Sequence, residues 1–113
     1  MPRDHKVYLD DILTAIDKIH RYVSTPASSL EDALKDEKTF DAVIRNLEII
    51  GEAVKKIPDE IKTKHPAIEL KKISGLRDVL VHEYYGVDSE IISDILNKKL
   101  PSLYVEAKKI IEL

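Results

Sequence analysis

The chain has no cysteine, only three glycines and a single phenylalanine among its 113 residues. The lack of cysteine excludes disulfides and thiolate metal sites, and it is typical of a reducing compartment, so we expect a cytoplasmic protein. No apolar run approaches the roughly 18 residues of a membrane span. A chain of this length can bury a stable core without disulfides or structural metal ions. We expect a single domain over residues 1–113.

Three further features are missing from the pattern. His5, His20 and His65 do not form ligand spacings with one another or with carboxylates, and no HExxH pattern occurs, so no metal site is expected. No glycine-rich phosphate loop supports nucleotide hydrolysis. The N-terminus leads into an amphipathic stretch with Asp10 and Asp11, so no secretory signal is expected.

Charge of neither sign dominates the chain. The formal net charge is -3, which argues against a protein that coats nucleic acid non-specifically. A small, locally basic site stays compatible with this balance, because electrostatic steering depends on where the charges lie.

Helical periodicity is the main pattern in the first half. Abundant Leu, Ile, Glu and Lys favour helices. Apolar residues at helical spacing predict a long helix over 8–23 and a second over 37–57. Between them, Ser28 and Glu31 are typical of a capping box for a short turn that reaches about Lys35.

The second half continues the same periodicity. Residues 58–65 predict a short helical turn, and a third long helix is expected to begin near Glu69 and to end at Gly86. A last helix should run from residue 88 to the end of the chain, with a kink or a split at Pro101. No strand-like alternation is present. The predicted fold is therefore all-α, an antiparallel bundle of four long helices plus one or two short ones.

The third long helix has apolar or aromatic side chains on two sides. One arc of its helical wheel carries Ile73, Leu76, Val79, Leu80 and Glu83. The opposite arc carries Ser74, Arg77, Asp78, Val81, His82, Tyr84 and Tyr85. Such a helix is usually buried on both sides, and in so small a bundle the second partner is most simply another copy of the chain, as in a twofold homodimer.

The same helix carries side chains suited to phosphate chemistry. A guanidinium forks onto phosphate oxygens, and an imidazole can exchange a proton near neutral pH. Arg77 and His82 are separated by roughly 140° around the helix, whereas Arg77 and Tyr84 share a face. Two such helices meeting across a dimer would bring both arginines and both histidines together. A composite or interface-lined site is therefore expected.

These residues match a known motif. Arg77, His82 and Tyr84 fit the R-x(4)-H-x-Y signature of HepT-like toxins, a branch of the HEPN ribonuclease superfamily. The blocks 41–53 and 9–22 resemble the second and first long helices of that family. One departure is Asp78, since the position after the arginine is often Asn in the superfamily. The resemblance covers nearly the whole chain.

The resemblance implies a function. Members are all-helical homodimers that cut RNA without a metal or other cofactor, at a cleft on the dimer interface. They are usually the toxin of a toxin-antitoxin pair. Their antitoxin, an MntA-like nucleotidyltransferase, attaches AMP to the motif tyrosine, which corresponds to Tyr84.

Residue chemistry is compatible with these roles. We expect His82 to transfer protons and Arg77 to supply charge at the phosphorus. Asp78 would orient a neighbouring histidine or arginine, or form a hydrogen bond across the interface. Tyr84 would hold the scissile phosphate or stack on a base.

Two other groups carry open interpretations. Arg45 and Glu48 are either interhelical salt-bridge partners or a brace for the motif helix. Lys71 and Lys72 either guide RNA or are simply solvated. For the whole protein, the alternative function is a catalytically weak binding module that partners a minimal nucleotidyltransferase.

Overall fold

The computed structural model describes residues 4–24, 29–66 and 89–112, nearly all of which are helical. The helices are α1 (His5–Val23), α2 (Leu30–Lys35), α3 (Glu37–Lys56), α4 (Asp59–Lys64), α5 (Ser89–Asp94) and α6 (Leu100–Ile111), with a π-helical turn over Ile95–Lys99. No strand occurs within the described ranges. The predicted all-α fold is confirmed, while the third long helix predicted from Glu69 to Gly86 lies outside the described residues.

The core forms where α1 packs along α3 and, on another side, against α6. Aliphatic side chains at helical spacing fill it, and the fully buried ones include Leu9, Ile12, Ile16, Ile19, Leu47, Ile50, Ile57, Ile92 and Leu100. Short helix α2 covers α3 and contacts α5. The apolar stripes predicted for the first two long helices are therefore the surfaces that pack.

Side-chain caps begin the first three helices. Asp4 accepts from the backbone N–H of Lys6 at 3.0 Å, which caps α1. For α2 the cap is Ser29, whose Oγ accepts from the N–H of Asp32 at 3.1 Å. The predicted cap, Ser28, was wrong by one residue. Both serines precede an acidic residue at the required spacing, so the sequence pattern alone does not distinguish them.

Asp36 joins α2 to α3 without a loop, because it is both the C-cap of α2 and the N-cap of α3. Its carboxylate accepts from the backbone N–H of Thr39 at 3.0 Å and from the Thr39 hydroxyl at 2.8 Å. The hydrogen bonds from the Thr39 hydroxyl and N–H lower the pKa of Asp36 from its ordinary value, and Lys38 adds a smaller effect in the same direction. The carboxylate therefore caps α3 in its charged form.

Pro101 interrupts the α-helical hydrogen bonding of the last helix, at the position where the sequence predicted a kink or a split. In a continuous α-helix its nitrogen would donate to the carbonyl of Asn97, but proline has no N–H and its ring collides with that carbonyl. The chain instead widens into the π-helical turn, in which the N–H of Leu100 donates to the carbonyl of Ile95, five residues back. Helix α6 then begins with Pro101 in its first turn, where no N–H is required.

Truncation of a buried side chain tests how much the packing of α1 against α3 stabilises the protein. Leu47 has no exposed surface, so Leu47→Ala should lower the free energy of unfolding by about 2–5 kcal/mol. The matched control, Val105→Ala, removes an aliphatic side chain that is 54% exposed and should change it by less than about 0.5 kcal/mol. Urea unfolding at one fixed protein concentration measures both. Equal effects of the two substitutions would contradict the packing described here.

Candidate active site

The motif residues Arg77, Asp78, His82 and Tyr84 lie outside the described residues, as do Lys71 and Lys72. The structure instead describes the parts of the bundle on either side of residues 67–88. Pro66 precedes this segment and Ser89 follows it. Each of these two flanking parts makes its own contacts with the rest of the bundle.

On the N-terminal side, a polar contact joins α4 to α6. His65 is the C-cap of α4, and its backbone N–H donates to the carbonyl of Ile61 at 2.9 Å. Its Nδ1 lies 2.8 Å from Oε1 of Glu106, which is on α6. Both side chains are largely buried, with 23% and 19% of their surfaces exposed. The backbone immediately before the motif segment is thus attached to the last helix.

On the C-terminal side, the attachment is mainly apolar. Ile92 of α5 is fully buried, and Ile95 and Leu96 of the π-helical turn are nearly so. On the outer surface, Nζ of Lys98 lies 2.8 Å from Oδ1 of Asp94. This hydrogen bond raises the pKa of Lys98 from its ordinary value. The described residues on both sides of 67–88 therefore belong to the same packed core.

A polar groove of about 220 Å³ runs between α1 and α3. Its cations lie next to carboxylates of the same helix: Arg45 is 3.6 Å from Glu48, and Lys56 is 3.8 Å from Glu52. Lys56 also lies 5.9 Å from the centre of the Tyr8 ring. Arg45 and Glu48 pair within α3, so the interhelical pairing considered from the sequence was wrong for this contact. With three lining carboxylates, this groove is poorly suited to phosphate.

Asn46 is a buried polar residue that the sequence-based prediction missed. Only 5% of it is exposed, and its Nδ2 donates to the carbonyl of Ala42, one turn earlier, at 2.9 Å. The signal was its position on the apolar stripe of α3, three residues after Val43 and four before Ile50. This hydrogen bond gives the buried Nδ2 group of Asn46 a partner within its own helix, which is a structural role.

Within residues 4–24, 29–66 and 89–112, no group of three or more His, Asp or Glu side chains is arranged to hold a metal ion. In the same part of the chain, no helix has both the length and the apolar character needed to cross a membrane.

Comparison with known proteins identifies the family. Residues 12–110, which include the whole motif segment, match the family described as Ribonuclease HepT-like. The chain belongs to the HepT-like ribonuclease family. The predicted membership is thus confirmed, and it extends across both sides of the bundle described above.

Curated relatives agree with this assignment. A protein named as a probable ribonuclease HepT from Thermococcus cleftensis is 44% identical over 110 residues, which cover 97% of this chain and 98% of that protein. A provisionally named RNase of Methanocaldococcus jannaschii is 41% identical, with 97% and 93% covered. Another from Caldanaerobacter subterraneus is 41% identical, with 93% and 92% covered. No solved structure gives a significant match.

The contact between His65 and Glu106 can be tested by a double-mutant cycle. Because both groups are largely buried, His65→Ala and Glu106→Ala should show a coupling energy of about 0.5–3 kcal/mol in urea unfolding. The control pair is Arg45 and Glu48, where the arginine side chain is 72% exposed and coupling below about 0.5 kcal/mol is expected. Strictly additive effects of the first pair would mean that the contact does not attach α4 to α6.

Proposed function

We propose that this protein is a metal-independent endoribonuclease that acts as the toxin of a toxin-antitoxin pair. The observation that carries the proposal is the combination of the family match over residues 12–110 with an intact Arg77, His82 and Tyr84 motif inside that range. The curated relatives are themselves named as ribonucleases. RNA is therefore the proposed substrate.

The proposed reaction is an internal transfer at one phosphodiester. The imidazole of His82 takes the proton of the ribose 2′-hydroxyl, and the 2′-oxygen forms a bond to phosphorus as the bond from phosphorus to the 5′-oxygen breaks. The leaving 5′-oxygen receives a proton from water, and His82 releases the proton that it took to the solvent, so that protons balance over the step. The products are a 2′,3′-cyclic phosphate and a 5′-hydroxyl, and the step needs no external oxidant, reductant or cofactor.

Arg77 supplies the charge that this reaction needs. Negative charge grows on the phosphoryl oxygens as the fifth bond to phosphorus forms, and a fixed guanidinium stabilises it. Asp78 is the proposed supporting residue, through a hydrogen bond to a motif side chain or across the interface. Because Arg77 and His82 are five residues apart, we propose a homodimer in which two motif segments line one cleft.

Tyr84 is the proposed control point. It would hold the scissile phosphate or stack on a base in the active protein. A partner nucleotidyltransferase of the MntA-like type would transfer AMP from ATP to the phenolic oxygen, with release of pyrophosphate. The attached nucleotide adds bulk and negative charge where RNA binds, so it would block the toxin.

Cleavage in EDTA tests the ribonuclease directly. The purified protein should cut RNA without divalent metal, and both Arg77→Ala and His82→Ala should lower the rate by at least about 100-fold. The control His20→Ala removes an exposed imidazole from α1 and should leave the rate unchanged. Gel assays would measure the rate, and chemical analysis of the product ends should find the cyclic phosphate.

Undiminished cutting by both motif variants, with an unchanged dimer, would refute the mechanism. Absence of cutting by the wild-type protein, together with formation of a complex with a nucleotidyltransferase, would favour the binding module instead. Size-exclusion chromatography with light scattering establishes the oligomeric state of each variant, so that loss of the dimer is distinguished from loss of chemistry.

Modification of Tyr84 has its own test. Co-expression with the nucleotidyltransferase should add the mass of AMP to the intact chain, and Tyr84→Phe should abolish that addition because the acceptor oxygen is gone. The neighbouring variant Tyr85→Phe should retain it. Intact-mass and peptide mass spectrometry measure both, and AMP found only on other tyrosines would contradict the assignment.

A further inference from the structure

A second groove lies where the end of α1 meets the first turns of α3. Arg21, Tyr22, Lys38, Thr39 and Ala42 line it, around a cavity of about 380 Å³. We propose that this groove is a binding subsite for single-stranded RNA outside the catalytic motif. Phosphates would contact Arg21 and Lys38, and one base would stack on Tyr22. The inference rests on the proposed function, because it assumes that RNA is the substrate.

Basic side chains line this groove. Of the residues that the structure describes, two cations line this groove, one from each helix, and no carboxylate does. Among the described residues, neither Arg21 nor Lys38 forms an ion pair within 4.0 Å. Lys38 does interact with the charge of Asp36, but that carboxylate is hydrogen-bonded to Thr39. In a chain with a formal net charge of -3, this is a local basic site of the kind that phosphate requires.

The contrast with the groove lined by Arg45 and Lys56 supports the choice. There, Arg45 and Lys56 lie within 4 Å of carboxylates, and three acidic residues line the cavity. An incoming phosphate would meet repulsion as well as attraction. No carboxylate is among the described residues that line the groove at Arg21 and Lys38.

The aromatic ring of Tyr22 favours RNA over an acidic protein as the ligand of this groove. Tyr22 is half-buried, so packing restrains its ring while part of it stays accessible. Cations beside an accessible ring are the usual arrangement for single strands, whose bases are free to stack on protein aromatics. A cavity of about 380 Å³ is at the small end of ligand pockets and suits a single nucleotide with its flanking phosphates.

RNA binding by a cleavage-deficient protein tests this subsite. In the His82→Ala background, fluorescence anisotropy would measure the affinity for a short single-stranded RNA over a range of salt concentrations. Adding Arg21→Gln with Lys38→Gln should weaken binding about tenfold and reduce the slope of log K against log salt by about 1.4, which corresponds to two lost phosphate contacts on a single strand. The control double variant, Lys55→Gln with Lys109→Gln, makes the same charge change at exposed sites and should leave the slope unchanged.

Substitution of Tyr22 tests the stacking contact separately. Tyr22→Leu should weaken binding at least about fivefold without changing the salt slope, whereas Tyr22→Phe should retain the affinity because it keeps the ring. Thermal melts of every variant identify any that fail to fold. In a protein with intact His82, the arginine–lysine double variant should raise KM for RNA with little change in kcat.

The outcomes distinguish the subsite from the function on which it rests. If the parent binds RNA and both double variants show the same affinity and salt slope as the parent, the subsite is overturned. The ribonuclease proposal then stays intact. A wild-type protein that neither binds nor cuts RNA would overturn both. If the Arg21→Gln, Lys38→Gln variant lost binding to an acidic protein but kept its affinity for RNA, that result would also overturn the subsite.

Discussion

The contact between α1 and α3 is the interaction on which the rest of the structure depends. Leu9, Ile12 and Ile16 from one helix and Leu47 and Ile50 from the other are fully buried, and α6 closes the same core. Both of the grooves described above follow this contact, since residues of α1 and α3 line each of them. The apolar pattern thus determines where polar side chains are brought together, although they differ in charge from one groove to the other.

The described residues on the two sides of the motif segment are attached to the core by different physical means. Before it, His65 and Glu106 make a largely buried polar contact that depends on distance and direction. After it, Ile92, Ile95 and Leu96 pack into the core, which tolerates small changes in geometry better. Small displacements of reacting groups slow a reaction strongly, so the catalytic role proposed for residues 67–88 would need a well-supported backbone on both sides. The described residues next to this segment pack through α4, α5 and α6.

Much of the fold followed from the periodicity of apolar residues, because a helix with one buried face repeats its apolar positions in a fixed way. The split at Pro101 was predicted for a similar reason, since proline cannot continue the backbone ladder. The i to i−5 hydrogen bond before it was not predicted, because a proline marks where the ladder breaks and not how the neighbouring turn rearranges.

The candidate site was harder to predict than the fold. Arg21 and Lys38 are 17 residues apart in sequence and meet only through packing, and the motif residues were recognised through family resemblance.

Asp36 gives the corner between α2 and α3 a defined response to acid. Its folded-state pKa is depressed, so the capping contribution is fully present above the ordinary aspartate value and is lost only as the pH falls through the lowered one. Within the neutral range the carboxylate stays ionised and the corner keeps its shape. Lys38 and Thr39 therefore project from a preorganised backbone, and a ligand there would have to immobilise side chains but not rebuild the chain beneath them.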